Sequence, residues 1–271
     1  MEDLNKTQLT LLTLLVSFVT SIATGIITVS LLQVAPPGVT QTINRVVEKT
    51  IERVVPAEGG GTQTVKEITI VVKEEDLVID AINKNAKAIV RIRDNALIDG
   101  VAPFYGIGFL VSASGYVVSD RSDILNSGST YTATLPNESF QMKVAAIDEE
   151  NGLVFFQIIK DPKTPLSINP VNLATKDVQL GQTVIGIEGQ KENLVSIGRV
   201  ASLEHVGQDS TKTISAVDTD ITTKTKVFGG PLVNLSGEVV GMRISRLPPS
   251  LSGETYISLP VLKAAIAKSV K

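Results

Sequence analysis

Between Lys6 and Arg45 the chain carries no charged residue, and that interval constrains its architecture more than any other feature. Leu9 to Val34, LTLLTLLVSFVTSIATGIITVSLLQV, is about 39 Å long as a helix at ~1.5 Å per residue, enough to cross a hydrocarbon core of ~30 Å with some tilt. Pro36 and Pro37 stop such a helix. A cleaved signal peptide has an apolar core of about 7–15 residues followed by a small-residue cleavage site. This run is longer and ends in proline, so the expectation is an uncleaved single-pass membrane helix over residues 9–34 behind a short tail, residues 1–8.

Thr13, Ser17, Ser21 and Gly25 recur every four residues along that helix. They form either a ridge that a second helix can approach or the ordinary Ser/Thr content of a membrane span. Lys6 alone precedes the span, whereas Arg45, Lys49 and Arg53 follow it. By the positive-inside rule this places the body in the cytoplasm, although Glu48 and Glu52 are interleaved. Residues 43–55, INRVVEKTIERVV, have the i, i+3, i+4 apolar spacing of a self-associating helix, but their Val and Ile content favours a strand, and both readings stay open. Pro56 closes the segment, and residues 57–64, AEGGGTQT, read as a flexible hinge. Residues 35–64 are thus expected to be a juxtamembrane segment and linker, and residues 65–271 the body.

The body holds no Cys and one His, His205. Disulfides, thiolate metal sites, Cys nucleophiles and multi-imidazole metal sites are excluded, and neither a metal nor a cofactor is expected. A net charge of −3 gives no electrostatic footprint for nucleic acid. From Val65 onward short β-branched runs are broken by Gly, Asn, Asp and Pro: IVRIR, GFLVS, GYVVS, TYTATL, VFFQII, TVIGI, GRVASL, TISAV, GPLVN, GEVVGMRI and TYISL. The pattern predicts an all-β sandwich or barrel. Helices are expected only at its ends, over residues 75–85 and over 260–270, PVLKAAIAKSV, where Pro sits at a helix start.

Three segments, in matching order and spacing, resemble the HtrA/Deg group of trypsin-like serine proteases. GIGFLVSASGYVVSDRSDIL (106–125) is similar to the family's run into its general base, DEENGLVFFQI (148–158) to its Asp-bearing stretch, and KVFGGPLVNLSGEVVG (226–241) to its nucleophile loop. The resemblance covers roughly residues 76–271. It implies a pair of six-stranded β-barrels with a cleft between them, an extracytoplasmic body and a trimer. With a helix at Lys271 it leaves no room for the PDZ domain that commonly follows in that family. The base position falls on Ser122, the orienting carboxylate on Gly152 and the nucleophile on Phe228. Gly229 and Gly230 are the remnant of the oxyanion loop, Asp220 matches an Asp ahead of it, and Tyr256, Ile257, Ser258 and Leu259 resemble the strand that pairs with a bound peptide.

Ser attack requires a base to accept its proton and a carboxylate to hold that base. Ser122 is no base near neutral pH, Gly152 has no side chain and Phe228 no nucleophilic atom, so the resemblance implies a catalytically inactive homologue that binds peptides or protein partners, or assembles with itself or an active homologue. The competing reading is an active enzyme with a rearranged site, built from Ser119 or Ser122 with Lys224 or Lys226. His205 reads as a surface residue. Asp120-Arg121-Ser122-Asp123 reads as a solvated turn or a site for a cation or peptide terminus, and Asp148-Glu149-Glu150 as a solvated acidic turn.

Overall fold

The computed structural model describes residues 5–33, 46–51, 68–98, 100–160, 166–207, 212–223, 225–245 and 254–270. The chain divides into two units, Met1–Asn44 and Arg45–Lys271. The expected hinge, residues 57–64, lies outside the described residues.

The first unit is one helix, α1 (Lys6–Gln33), beginning three residues ahead of the expected span. Its Lys6–Thr28 stretch is long and apolar enough to cross a membrane, and none of it is buried against protein. Its hydroxyls are satisfied locally. Thr10, Thr20, Thr24 and Thr28 each donate to the carbonyl four residues back at 2.7–2.9 Å, and Thr13 to Thr10. Such bonds remove the cost of carrying hydroxyls into hydrocarbon.

The second unit opens with a two-stranded antiparallel ribbon, β1 (Val46–Ile51) against β2 (Ile68–Lys73), with Val46 opposite Lys73 and Ile51 opposite Ile68. For residues 46–51 the strand reading is therefore the one that forms, as their β-branched content favours. β2 runs directly into α2 (Glu74–Ala86), whose Glu74, Glu75 and Asp76 complement the helix dipole at its start.

Two barrels follow. Strands β3 (Ile89–Asp94), β4 (Phe104–Leu110), β5 (Tyr116–Asp120), β6 (Thr130–Thr134), β7 (Ser139–Asp148) and β8 (Leu153–Ile158) close in the order β3-β4-β5-β8-β7-β6. Strands β9 (Thr183–Glu188), β10 (Leu194–Val206), β11 (Thr213–Thr219), β12 (Pro231–Asn234), β13 (Val239–Arg243) and β14 (Glu254–Ser258) close in the order β10-β11-β14-β13-β12-β9. The architecture implied by the resemblance, all-β with two six-stranded barrels and few short helices, is the one present. The first barrel is filled around Tyr105, Tyr131 and Phe156, edge-to-face with ring centres 4.9–5.6 Å apart. Helix α3 (Leu259–Ser269) closes the chain, with the Ser258 hydroxyl accepting from the Val261 N–H as its cap.

One expectation is overturned. Tyr256 to Leu259 present no free strand edge, because β14 is bonded to β11 on one side and β13 on the other. Tyr256, Ile257, Ser258 and Leu259 are all buried. A closed barrel leaves no place there for a peptide to add a strand.

Candidate functional site

A cleft of about 930 Å³ is lined from the first barrel by Phe104, Tyr105, Ser119, Asp120, Ser122 and Ile124, and from the second by Lys191, Glu192, Leu194, Ser245 and the turn Thr225–Phe228. Two of the three positions at which the resemblance places a catalytic group, Ser122 and Phe228, therefore face one cavity. Gly152 lies just behind it: its carbonyl accepts from the Arg121 N–H at 2.8 Å, and its φ of +65° suits glycine.

The cleft floor is fixed from both barrels. The Tyr105 hydroxyl donates to the Asp120 carbonyl at 2.7 Å and accepts the Ser122 N–H at 3.2 Å. Burial pushes the Tyr105 phenol far above its ordinary range. Asp120, expected in a solvated turn, is buried. One of its carboxylate oxygens accepts both the N–H and the hydroxyl of Ser245, at 2.8 and 3.1 Å, and so latches the barrels together. Arg121 leans away, pairing with Glu149 at 3.0 Å and Asp123 at 3.8 Å. Asp148 is also buried rather than solvated, accepting from the N–H and side-chain amide of Asn151. Among the described residues no three His, Asp or Glu side chains cluster as metal ligands.

The turn beside Phe228 is held by a buried ion pair that the sequence reading missed. Arg243 meets Glu188 at 2.5 Å, with 8% and 5% of the side chains exposed. The same guanidinium donates to the carbonyls of Thr225 (3.0 Å) and Val227 (3.4 Å) and the Thr223 hydroxyl (2.9 Å), and it lies 4.9 Å from the centre of the Phe228 ring. Thr225 returns a hydroxyl bond to Glu188 at 2.8 Å. Gly229 has φ +93°, donates its N–H to the Arg243 carbonyl, and a Cβ there would overlap the Ile107 carbonyl oxygen. A Cβ at Gly230 would likewise overlap the Ile187 carbonyl. Both glycines are needed for close packing of backbone on backbone.

Of the groups considered for a rearranged site, Ser119 is fully buried and donates its hydroxyl to the Ile107 carbonyl at 2.6 Å. Lys226 is exposed at the rim, and Lys224 lies outside the described residues. His205 is exposed on β10 and is not among the cleft's lining residues. Asp220 accepts the Arg199 N–H at 2.5 Å and so ties β10 to the stretch leading into the turn.

Two closed barrels with a cleft between them define the class, and sequence comparison agrees. Residues 106–242, half of the chain, match the Trypsin-like peptidase domain family. Similar proteins include serine protease HTRA1B of Danio rerio, 25% identical over 185 residues, which cover 65% of this chain and 38% of that protein. Serine protease HTRA2, mitochondrial, of Bos taurus is 26% identical over 190 residues, covering 65% and 40%. A probable periplasmic serine endoprotease DegP-like of Hahella chejuensis is 24% identical over 139 residues, covering 51% and 29%. This chain thus spans about two fifths of the length of the first two relatives. The crystal structure of Deg5 shares the fold, with a TM-score of 0.57 and 21% identity, covering 70% of this chain and 92% of that one. The chain belongs to the trypsin-like peptidase domain family, and the relatives it resembles are HtrA and Deg serine proteases.

Proposed function

We propose that this protein is a membrane-anchored, catalytically inactive HtrA-type homologue whose interbarrel cleft binds peptide segments of protein partners. The observation that carries this reading is Phe228. It occupies the position that the resemblance assigns to the nucleophile, and its ring rests against the Arg243 guanidinium. No atom of that side chain can attack a carbonyl, Ser122 cannot hold a proton as an imidazole does, and Gly152 cannot orient a base. What remains is a cleft with an apolar rim, Phe104, Ile124, Leu194 and Val227, over a fixed polar floor, the kind of lining a peptide side chain requires. The apolar α1 helix supports the anchor.

The full chain in detergent micelles, incubated at high concentration with a reduced, unfolded protein, is expected to leave the substrate intact by mass spectrometry and to resist labelling by a fluorophosphonate. Cleavage abolished by replacing one Ser or Lys of this chain would overturn the reading in favour of a rearranged active site.

A further inference from the structure

Both barrels are closed, so among the described strands only β1 and β2 keep free edges: their sheet has two strands, each paired on one side alone. A ribbon of two strands is at best marginally stable in water, and a third strand or a packed apolar face is what makes such a unit hold. Directly opposed residues share a face of the ribbon. The register places Val47, Ile51, Ile68, Ile70 and Val72 on one face, with Lys49 as its sole charge, and Glu48, Thr50, Thr69 and Lys73 on the other with Val46 and Val71. The ribbon therefore has both an apolar face to cover and edges to satisfy.

The sequence of β2 selects both the edge and its occupant. Residues 68–72, ITIVV, hold no Lys and no Pro, the residues that commonly protect an exposed edge. Charges stand only at the ends, Glu67 before the run and Lys73, which is exposed, after it. Laid antiparallel to a second copy of itself and centred on Ile70, β2 sets Ile68 opposite Val72, Thr69 opposite Val71 and Glu67 opposite Lys73, each pair occurring twice. Moving the centre to Thr69 leaves Glu67 opposite Val71, and moving it to Val71 leaves Lys73 opposite Thr69, so charge matching picks one register. That register also keeps Ile68, Ile70 and Val72 of both copies on one side. β1 has no such match: centred on either of its middle residues, it sets Glu48 or Lys49 against its own counterpart.

We propose that the outer edge of β2 is the docking site for a second copy of this chain, which joins antiparallel through residues 68–72 to form a two-fold, four-stranded sheet in the order β1-β2-β2-β1 with one continuous apolar face. Backbone hydrogen bonds supply the attraction, and the two Glu67–Lys73 pairs fix the register. The contact is isologous, so it uses up both β2 edges and closes at two copies, and the outer edges that remain are β1 strands carrying Glu48 and Lys49. Nothing in this pairing depends on the interbarrel cleft.

The test uses the full chain in detergent micelles, its mass followed by light scattering over a dilution series and expected to be that of a dimer. Glu67→Lys or Lys73→Glu alone sets like charges opposite in both symmetry-related pairs and is expected to weaken the dimer about tenfold, whereas the two reversals together restore it. The chain has no Cys, so introduced ones report the register after copper–phenanthroline oxidation. Ile70→Cys, self-opposed at a Cα separation of about 4.5–5.5 Å, is expected to give a disulfide-linked dimer. Ile68→Cys and Val72→Cys are each expected to stay unlinked alone and to link when mixed. A monomer at every concentration, or a trimer or larger assembly, would overturn the proposal. So would a dimer that both single charge reversals leave at full strength, which would place association elsewhere, in α1, and so would an Ile70→Cys chain that stays unlinked.

Discussion

Glu188 and Arg243, 55 residues apart in the chain, meet at 2.5 Å as a buried pair, and the same guanidinium holds the carbonyls of the turn beside Phe228. A buried pair of this kind contributes little net stability against an apolar replacement, but breaking it leaves a charge stranded. Arg243→Met is therefore expected to cost about 3–5 kcal/mol, measured by urea unfolding, while Arg243→Met with Glu188→Leu recovers most of that loss. A double variant no more stable than the single would mean that the guanidinium's bonds to the turn, and not charge pairing, dominate.

Gly229→Ala and Gly100→Ala provide a matched pair. Both glycines have positive φ, +93° and +77°, but a Cβ at Gly229 meets the Ile107 carbonyl whereas one at Gly100 meets open space. The strain common to both is about 1 kcal/mol, and only Gly229→Ala adds a backbone collision. The melting temperature is expected to fall at least twice as far for Gly229→Ala as for Gly100→Ala.

Burial raises the phenols of Tyr105 and Tyr131, which fixes the sign of an alkaline effect. A group held neutral by the fold contributes fully below its unfolded value, near ~10 for tyrosine, and that contribution is lost as pH climbs through the folded value. Stability by urea titration should decline above about pH 10, and ultraviolet absorbance should show Tyr105 ionising only as the body unfolds. Tyr105→Phe, which removes the bonds to Asp120 and Ser122, should cost about 1 kcal/mol at neutral pH and flatten the alkaline decline.

The proposed anchor predicts a fractionation result. The full chain should stay with membranes through an alkaline carbonate wash, and a variant lacking residues 1–44 should be released. A mature chain whose N-terminal mass begins after α1 would show instead that the helix is removed as a signal sequence.

Most strands were legible because their apolar residues are β-branched and punctuated by turn formers. β7 was not, since SFQMKVAAID mixes Lys, Gln and Asp into a strand that buries only Met142 and Asp148 fully. Helical spacing in residues 43–55 competed with β-branching, and pairing with β2, which no local pattern reveals, coincides with the strand outcome. At the site, local motif order located Ser122 and Phe228 in one cleft. It could not show that Asp120 reaches Ser245 across 125 residues or that Arg243 reaches Glu188. A single Arg in VVGMRI looks like any solvated strand residue until the barrel closes around it. The peptide edge at Tyr256–Leu259 failed for the same reason, because both of its neighbours come from distant sequence.

α2 precedes both barrels yet is fastened to the second. Asn85 donates to the Gly237 carbonyl and Lys84 to that of Ser236, each across 152 residues, at the turn between β12 and β13. On the ribosome, at ~5–20 residues per second, α2 would wait roughly 8–30 s for that turn to be made. Through that interval the first barrel can close before the hairpin to which α2 is bonded exists. The buried face of α2, with Ala81 and Asn85, then stays without its β12–β13 partner until that turn is made, so an early helix is completed only by a late hairpin.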